Sequence, residues 1–242
     1  DEFVLIICNP ASQEQVAELI ERIRPSATAP VPVDGQEIVP GTSIGVSIFP
    51  DDGDSPEKIM RAADAAMYHA KTIGKNNFQF YSEELNQVVH EHLLLEANLS
   101  RAIRDNELML DYQPKVDLRT GKVVGAEALV RWRHPVDGMI SPDRFIPVAE
   151  ETGLIVPLGE WVIDEACGAL KAMRLLGVED FVISVNLSAR QLRQRQFADR
   201  LGVTLARHGV DPRNLELEVT ESQLMDHPDD ALEALAQLKA LG

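Results

Sequence analysis

The sequence predicts a mixed α/β plus α+β chain in two unlike parts, and three patterns carry that expectation. From Met109 onward, strand-like and helix-like segments alternate, as in the βα units of a parallel sheet or barrel. Residues 1–81 instead run strand, helix, strand, helix, strand around a proline-rich loop, the order of an α+β unit. Between the two, residues 82–106 carry Leu85, Val88, Leu95, Leu99 and Ala102 at helical spacings, which predicts an amphipathic connecting helix.

The first part opens on Asp1-Glu2-Phe3 and runs into Val4-Leu5-Ile6-Ile7-Cys8, an apolar stretch that predicts a strand. Ser12 is placed to cap a helix reaching about Arg24, with Val16, Leu19, Ile20 and Ile23 on one face. Pro25 to Pro40 reads as loop or hairpin, with Asp34-Gly35 as its turn. Ser43 to Phe49 alternates as a half-buried strand. Ser55-Pro56 then starts a helix in cap-then-proline order, and Gly74 stops it. Its apolar stripe is Ile59, Ala63, Ala66, Met67, Ala70 and Ile73, and a short strand follows over Phe78 to Tyr81. In the second part the expected strands are Met109 to Asp117, Val123 to Arg131, Phe181 to Val185 and Leu215 to Val219. The expected helices are Pro142 to Glu150, Pro157 to Leu176, Ala189 to His208 and Pro228 to Leu241. Residues 107–242 fall well short of the roughly 250 residues of a full (β/α)₈ barrel, so about half a barrel is expected.

Composition narrows the function classes. The chain has 242 residues, enough for one large or two ordinary domains, with 45% hydrophobic and 26% charged residues. Its net charge of −16, from 23 basic and 39 acidic residues, argues against a nucleic-acid polymer as partner. A small phosphate ligand stays open, because a few local cations or a metal override the overall field. Two cysteines, Cys8 and Cys167, both sit in apolar runs and are expected as buried free thiols. No run is long enough for a membrane span, so a cytoplasmic setting is expected for this segment.

The chemistry concentrates around Gly125-Ala126-Glu127-Ala128-Leu129-Val130-Arg131. Strand alternation puts Glu127, Leu129 and Arg131 on one face, a carboxylate and a guanidinium pointing the same way. On this run alone an internal ion pair and a metal-and-phosphate site are equally open. Asn186, just past one strand, and Glu218, near the end of another, would join Glu127 at the strands' carboxyl ends if these strands are neighbours. All three side chains offer oxygen, so the implied cation is hard, Mg²⁺ or Mn²⁺. Arg131 suits a bidentate phosphate contact, and Gln113 could bond a phosphate or a guanine edge.

Tyr112-Gln113-Pro114-Lys115-Val116, the Glu127 run, Val185-Asn186-Leu187-Ser188 and Glu216-Leu217-Glu218-Val219-Thr220-Glu221 together resemble the EAL family of cyclic di-GMP phosphodiesterases. The resemblance implies metal ligation by Glu127, Asn186 and Glu218, and substrate contact by Gln113, Leu129 and Arg131. It further implies that Glu221 steadies a neighbouring active-site loop, and that two copies of the parent protein pair through this domain. Phe145 to Gly153 also matches the family; its acidic pair reads first as a solvated helix end. Asp1-Glu2-Phe3, Ser43-Ile44-Gly45-Val46-Ser47 and Ala63-Asp64-Ala65-Ala66-Met67-Tyr68 through Gly74-Lys75-Asn76 resemble the back half of a GGDEF diguanylate cyclase domain. There Glu2 matches a position that helps bind metal. Lys71 and Lys75 could reach the triphosphate of GTP or simply complement a helix C-terminus.

The resemblance therefore implies a truncated GGDEF domain over 1–81, a connecting helix over 82–106 and a partial EAL (β/α) barrel over 107–242. The implied parent is a phosphodiesterase that cleaves cyclic di-GMP to linear pGpG; a nucleotide-sensing module and a bifunctional protein with cyclase activity are the alternatives. The family's later aspartate pair, catalytic lysine and water-activating glutamate are expected beyond Gly242. Residues 1–242 alone are accordingly expected to hydrolyse nothing measurable, and metal-dependent turnover of cyclic di-GMP by that purified segment would overturn this.

Overall fold

The computed structural model describes residues 2–33, 36–74, 76–220 and 228–242. The expected turn Asp34-Gly35 and the expected roles of Lys75 and Glu221 fall outside them. Two compact units divide the chain, Asp1–Leu93 and Leu94–Gly242. Among the described residues no helix is long and apolar enough to cross a membrane.

In the first unit Ser12 accepts a hydrogen bond from Gln15 N and caps helix α1, Gln13–Ala27, which buries Val16 and Ile20. The helix runs one turn past Arg24, through Pro25; the Thr28 amide closes that turn on Arg24 O at 3.0 Å. Strands β1, Val31–Val33, and β2, Gln36–Ile38, form an antiparallel pair in the register Val31↔Ile38. Strands β3, Ile44–Val46, and β4, Phe78–Phe80, pair in parallel, joined by helix α2, Pro56–Thr72. Helix and sheet touch backbone to backbone at Gly45, where an added Cβ would lie 1.9 Å from Ala63 O. Small residues make this approach possible. The buried positions of α2 are Ala62, Ala65, Ala66 and Ala70, whereas Ile73, expected in the stripe, is exposed.

Two expectations are corrected here. Residues 4–8 form no strand among the described residues; Phe3 is 95% and Ile6 81% exposed. Apolarity alone does not make a strand, because each backbone group needs a ladder partner, and among the described residues none pairs with this segment. Cys8 is correspondingly exposed, while Cys167 is buried.

Helix α3, Glu83–Ala102, leads into the second unit, where its last turns bury Leu99 and Ala102. The sheet there has the order β5-β6-β8-β9, built from Leu108–Val116, Val123–His134, Val182–Asn186 and Leu215–Glu218. Strand β7, Gly138–Ile140, adds to β6; it is too short to show in the sequence pattern. Strands β6, β8 and β9 are parallel, as βα units require, but β5 and β6 are antiparallel. The connection explains it. Residues 117–122 form a tight turn in which the Asp117 carboxylate accepts from Arg119 N and Thr120 N, both at 2.8 Å, and Gly121 takes φ +68°. A parallel crossover needs a dozen residues or more.

Helices α4, Pro142–Thr152, and α5, Ile155–Leu175, follow. The single helix expected over Ala189 to His208 is two, α6, Ala189–Leu192, and α7, Phe197–His208. Leu192 and Phe197 both enter one apolar cluster with Ile183 and Val185. The Arg193-Gln194-Arg195-Gln196 stretch between them has no apolar anchor, and Gln196 turns at φ +62°. Helix α8, Pro228–Leu241, returns to the same cluster through Ala231. A second cluster centres on Trp132, fully buried and edge-on to Phe145 at 5.6 Å. The Trp132 indole N–H donates to Glu107 Oε2 at 3.1 Å, and Arg101 Nε donates to Glu107 Oε1 at 3.2 Å.

Burial pushes the Cys167 thiol up to about 11, so it has little thiolate near neutrality. Iodoacetamide at pH 8 should label Cys8 promptly and Cys167 only on unfolding, read by mass spectrometry. Gly45→Ala should destabilise the first unit by about 1–3 kcal/mol, read as an earlier midpoint in chemical denaturation.

Candidate active site

Period-two alternation and the strand register place one set of side chains on a single face of the second sheet. Gln113 on β5 is the Cα partner of Glu127 on β6, Glu127 of Ser184 on β8, and Asn186 of Glu218 on β9. The opposite face of β6, with Ala126, Ala128 and Trp132, is buried. Asn186 and Glu218 end their parallel strands, on the carboxyl side where βα folds carry their chemistry, whereas Glu127, expected near a strand end, is fifth of the twelve residues of β6 because that strand runs on to His134.

The Asn186 amide donates to Glu127 Oε1 at 2.7 Å. Among the described residues this leaves the amide oxygen of Asn186 without a hydrogen-bond partner in the protein. Glu218 accepts from Lys115 Nζ at 2.7 Å, and the same ammonium donates to Glu216 Oε1 at 2.9 Å and to the Ser184 hydroxyl. Ser184 in turn donates to Glu216 Oε1 at 2.7 Å. These bonds to Glu218 and Glu216 hold the Lys115 ammonium above the usual lysine range. Lys115, and then Ser184, hold the Glu216 carboxyl below the usual carboxylate range. A depressed carboxyl contributes stability above its unfolded pKa and loses it as pH falls through the folded value. The raised lysine loses its contribution only as pH climbs past the usual lysine range. The cluster is thus intact across neutral pH.

Arg131 donates through Nε to Asp111 Oδ2 at 2.8 Å and through Nη1 to Val130 O at 3.0 Å. The internal pair of Glu127 with Arg131 that the sequence left open does not form among the described residues: Arg131 pairs with Asp111, and Glu127 accepts from Asn186. An open cleft of about 380 Å³ lies beside these groups, lined by Leu129, Arg131, Glu150, Asn186, Glu218 and Thr220 among others. Its wall is braced from outside: Arg190 Nη1 donates to Glu150 O at 2.6 Å and to Glu151 O at 3.2 Å. A larger cavity of about 660 Å³ lies near the amino ends of the same strands, by Phe181, Val182 and Asn214. It contains none of the expected site residues.

The donor chemistry fits a hard cation. Two carboxylates and an amide stand on neighbouring strands, with no thiolate or imidazole among them. Among the described residues no group of three His, Cys, Asp and Glu side chains is arranged to hold a metal.

Four participants escaped the sequence reading: Asp111, Lys115, Ser184 and Glu216. Alternation could have found the first two, since Asp111, Gln113 and Lys115 share a strand face. Alternation likewise puts Ser184 on the face of Asn186 and Glu216 on the face of Glu218; only their pairing with Lys115 requires knowing which strands are neighbours. In the first unit, Glu2 is exposed in the unpaired opening segment, and Lys71 is exposed in the last turn of α2.

Residues 96–242 match the family model of the EAL domain, and residues 1–77 match that of the diguanylate cyclase GGDEF domain. The chain is 43% identical, over its whole length, to the bifunctional diguanylate cyclase/cyclic di-GMP phosphodiesterase MucR of Pseudomonas aeruginosa, covering 35% of that protein. It is 37% identical over its whole length to the cyclic di-GMP phosphodiesterase NbdA of the same organism, covering 31%. It thus spans about a third of these relatives. A solved structure of the PaMucR phosphodiesterase in complex with c-di-GMP superposes with a TM-score of 0.59 at 46% identity, over 62% of this chain and 60% of that one. The chain belongs to the EAL family, with GGDEF-domain sequence ahead of its EAL domain.

Proposed function

We propose that the protein carrying this chain is a metal-dependent phosphodiesterase that opens cyclic di-GMP to linear pGpG. The observation that carries this reading is that Glu127, Asn186 and Glu218 share one face of three adjacent strands, beside a cleft lined by Arg131, Asn186 and Glu218. The likeness to a phosphodiesterase solved with c-di-GMP supports the choice of substrate.

In this reading Glu127, Asn186 and Glu218 hold Mg²⁺ or Mn²⁺. The bound metal would polarise a phosphoryl oxygen and lower the pKa of the attacking water. Arg131 orients a phosphate through its terminal nitrogens, since Asp111 occupies its Nε. Gln113 contacts the ligand from β5, and Leu129 supplies an apolar surface toward it. Glu221 supports the neighbouring loop. Pairing of two copies through the EAL domain, and action in the cytoplasm, belong to the same proposal.

A second reading adds diguanylate cyclase activity, favoured by likeness to the bifunctional MucR along the whole chain. Glu2 would then serve the metal, and Lys71 and Lys75 the GTP phosphates. Cyclic di-GMP formation from GTP by the full-length protein tests it.

For the phosphodiesterase, the full-length protein with Mg²⁺ or Mn²⁺ should convert cyclic di-GMP to pGpG, followed by chromatography. Glu127→Gln should lower kcat by about 100-fold or more. Arg131→Lys should raise KM about tenfold with a smaller change in kcat, because lysine gives up the bidentate contact. Absence of turnover with either metal in the full-length protein would leave a nucleotide-binding module as the better account.

A further inference from the structure

Lys115 is the group on the site face that the proposed chemistry leaves without a role. Its ammonium has three protons, and three acceptors take them: the Ser184 hydroxyl, Glu216 Oε1 at 2.9 Å and Glu218 Oε1 at 2.7 Å. No proton remains for a phosphate, so Lys115 is not a ligand-binding cation of the kind Arg131 offers. Its acceptors sit on β8 and β9, beyond the adjacent strand β6. The position it faces on β6 is Gly125, which has no side chain to block that reach. An added Cβ at Gly125 would meet Val182 O at 2.4 Å, so the same glycine also brings β8 close.

One carboxylate oxygen of Glu218 is therefore pinned from below, and its orientation is set before any cation arrives. Glu216, the second carboxylate on β9, is drawn to the same ammonium and to Ser184, away from competition for the metal. Buried Ser184 supplies the fixed point of the cluster.

We propose that Lys115 is a positioning residue for the metal site, holding Glu218 by one oxygen so that the other is presented toward Glu127 and Asn186. This rests on the metal-dependent reading above and deepens it. Groups that orient metal ligands from behind contribute about 10–100-fold to metal affinity, and Lys115 takes that place here.

The test is Mn²⁺ binding by calorimetry to the full-length protein, wild type against Lys115→Met and Lys115→Arg, with thermal melting in the absence of metal to verify folding. Lys115→Met should weaken Mn²⁺ binding about 10–100-fold, while KM for cyclic di-GMP at saturating Mn²⁺ stays within about twofold. Lys115→Arg keeps a charged donor for Glu218 and should bind Mn²⁺ more tightly than Lys115→Met. Where Lys115→Met does not melt cooperatively, Lys115→Gln serves as the neutral variant. Unchanged or tighter Mn²⁺ binding in the neutral variant overturns the positioning role, as does equal weakening in the arginine variant. Failure of the wild type to bind Mn²⁺ overturns the metal-dependent reading itself, and this inference with it.

Discussion

The register of β6 against β5 and β8 is the constraint on which everything else in the second unit depends. Side chains alternate with period two, so a slip of one residue would turn Glu127, Leu129 and Arg131 into the helix-covered layer. It would also bring Ala126, Ala128 and Trp132 out of it. Trp132 opposes that slip: it is fully buried, edge-on to Phe145, and its indole nitrogen is paired with Glu107. Gly125 opposes it from the other end, since no larger residue fits against Val182 O. The apolar packing thus decides which face the polar residues occupy, and the site follows from the core.

That face carries more charge than a single ion pair. Asp111, Glu127, Glu216 and Glu218 bring four carboxylates to this face, while Lys115 and Arg131 bring two cations. The structure divides them. Lys115 pairs with both β9 carboxylates, Arg131 pairs with Asp111, and among the described residues Glu127 is met only by the amide of Asn186. Glu127 is left with the least compensation, which suits a carboxylate waiting for a cation. Since Lys115 and Glu216 are both well exposed, their pairing contributes little to stability. Its consequence is geometric.

Much of this was legible in the sequence, and the failures have physical causes. Helix α2 was readable from Ser55-Pro56 and Gly74 because cap, proline and stop act locally. Strand β6 was readable because Glu127 and Arg131 fall on one face of an otherwise apolar run, a period-two pattern that a helix does not produce. The opening strand was misread because apolarity does not supply a ladder partner. The antiparallel β5 was missed because the turn signal at Asp117 and Gly121 was passed over in favour of the βα rhythm downstream. The break before Phe197 was hidden because Leu192 and Phe197 kept the apolar pattern going while the backbone between them turned. In the site, residues near one another on a single strand were found. Those joined through neighbouring strands, Lys115 with Ser184 and Glu216, required the sheet order.

A phosphate ligand approaching this chain meets a net charge of −16, so attraction must be local. Arg131 is the cation in the cleft, yet its Nε is already committed to Asp111. That pairing fixes the plane of the guanidinium while leaving part of its edge available. A free arginine would have to lose its rotamer freedom on binding; one held by Asp111 has already lost it. Asp111 also returns a negative charge to the site, which weakens the pull on any anion that binds without a metal. In the proposed reaction, a ligand phosphate is then held well only when a metal bound by Glu127, Asn186 and Glu218 adds its own charge. On that proposal ligand binding and metal binding depend on each other, through residues on a single sheet face.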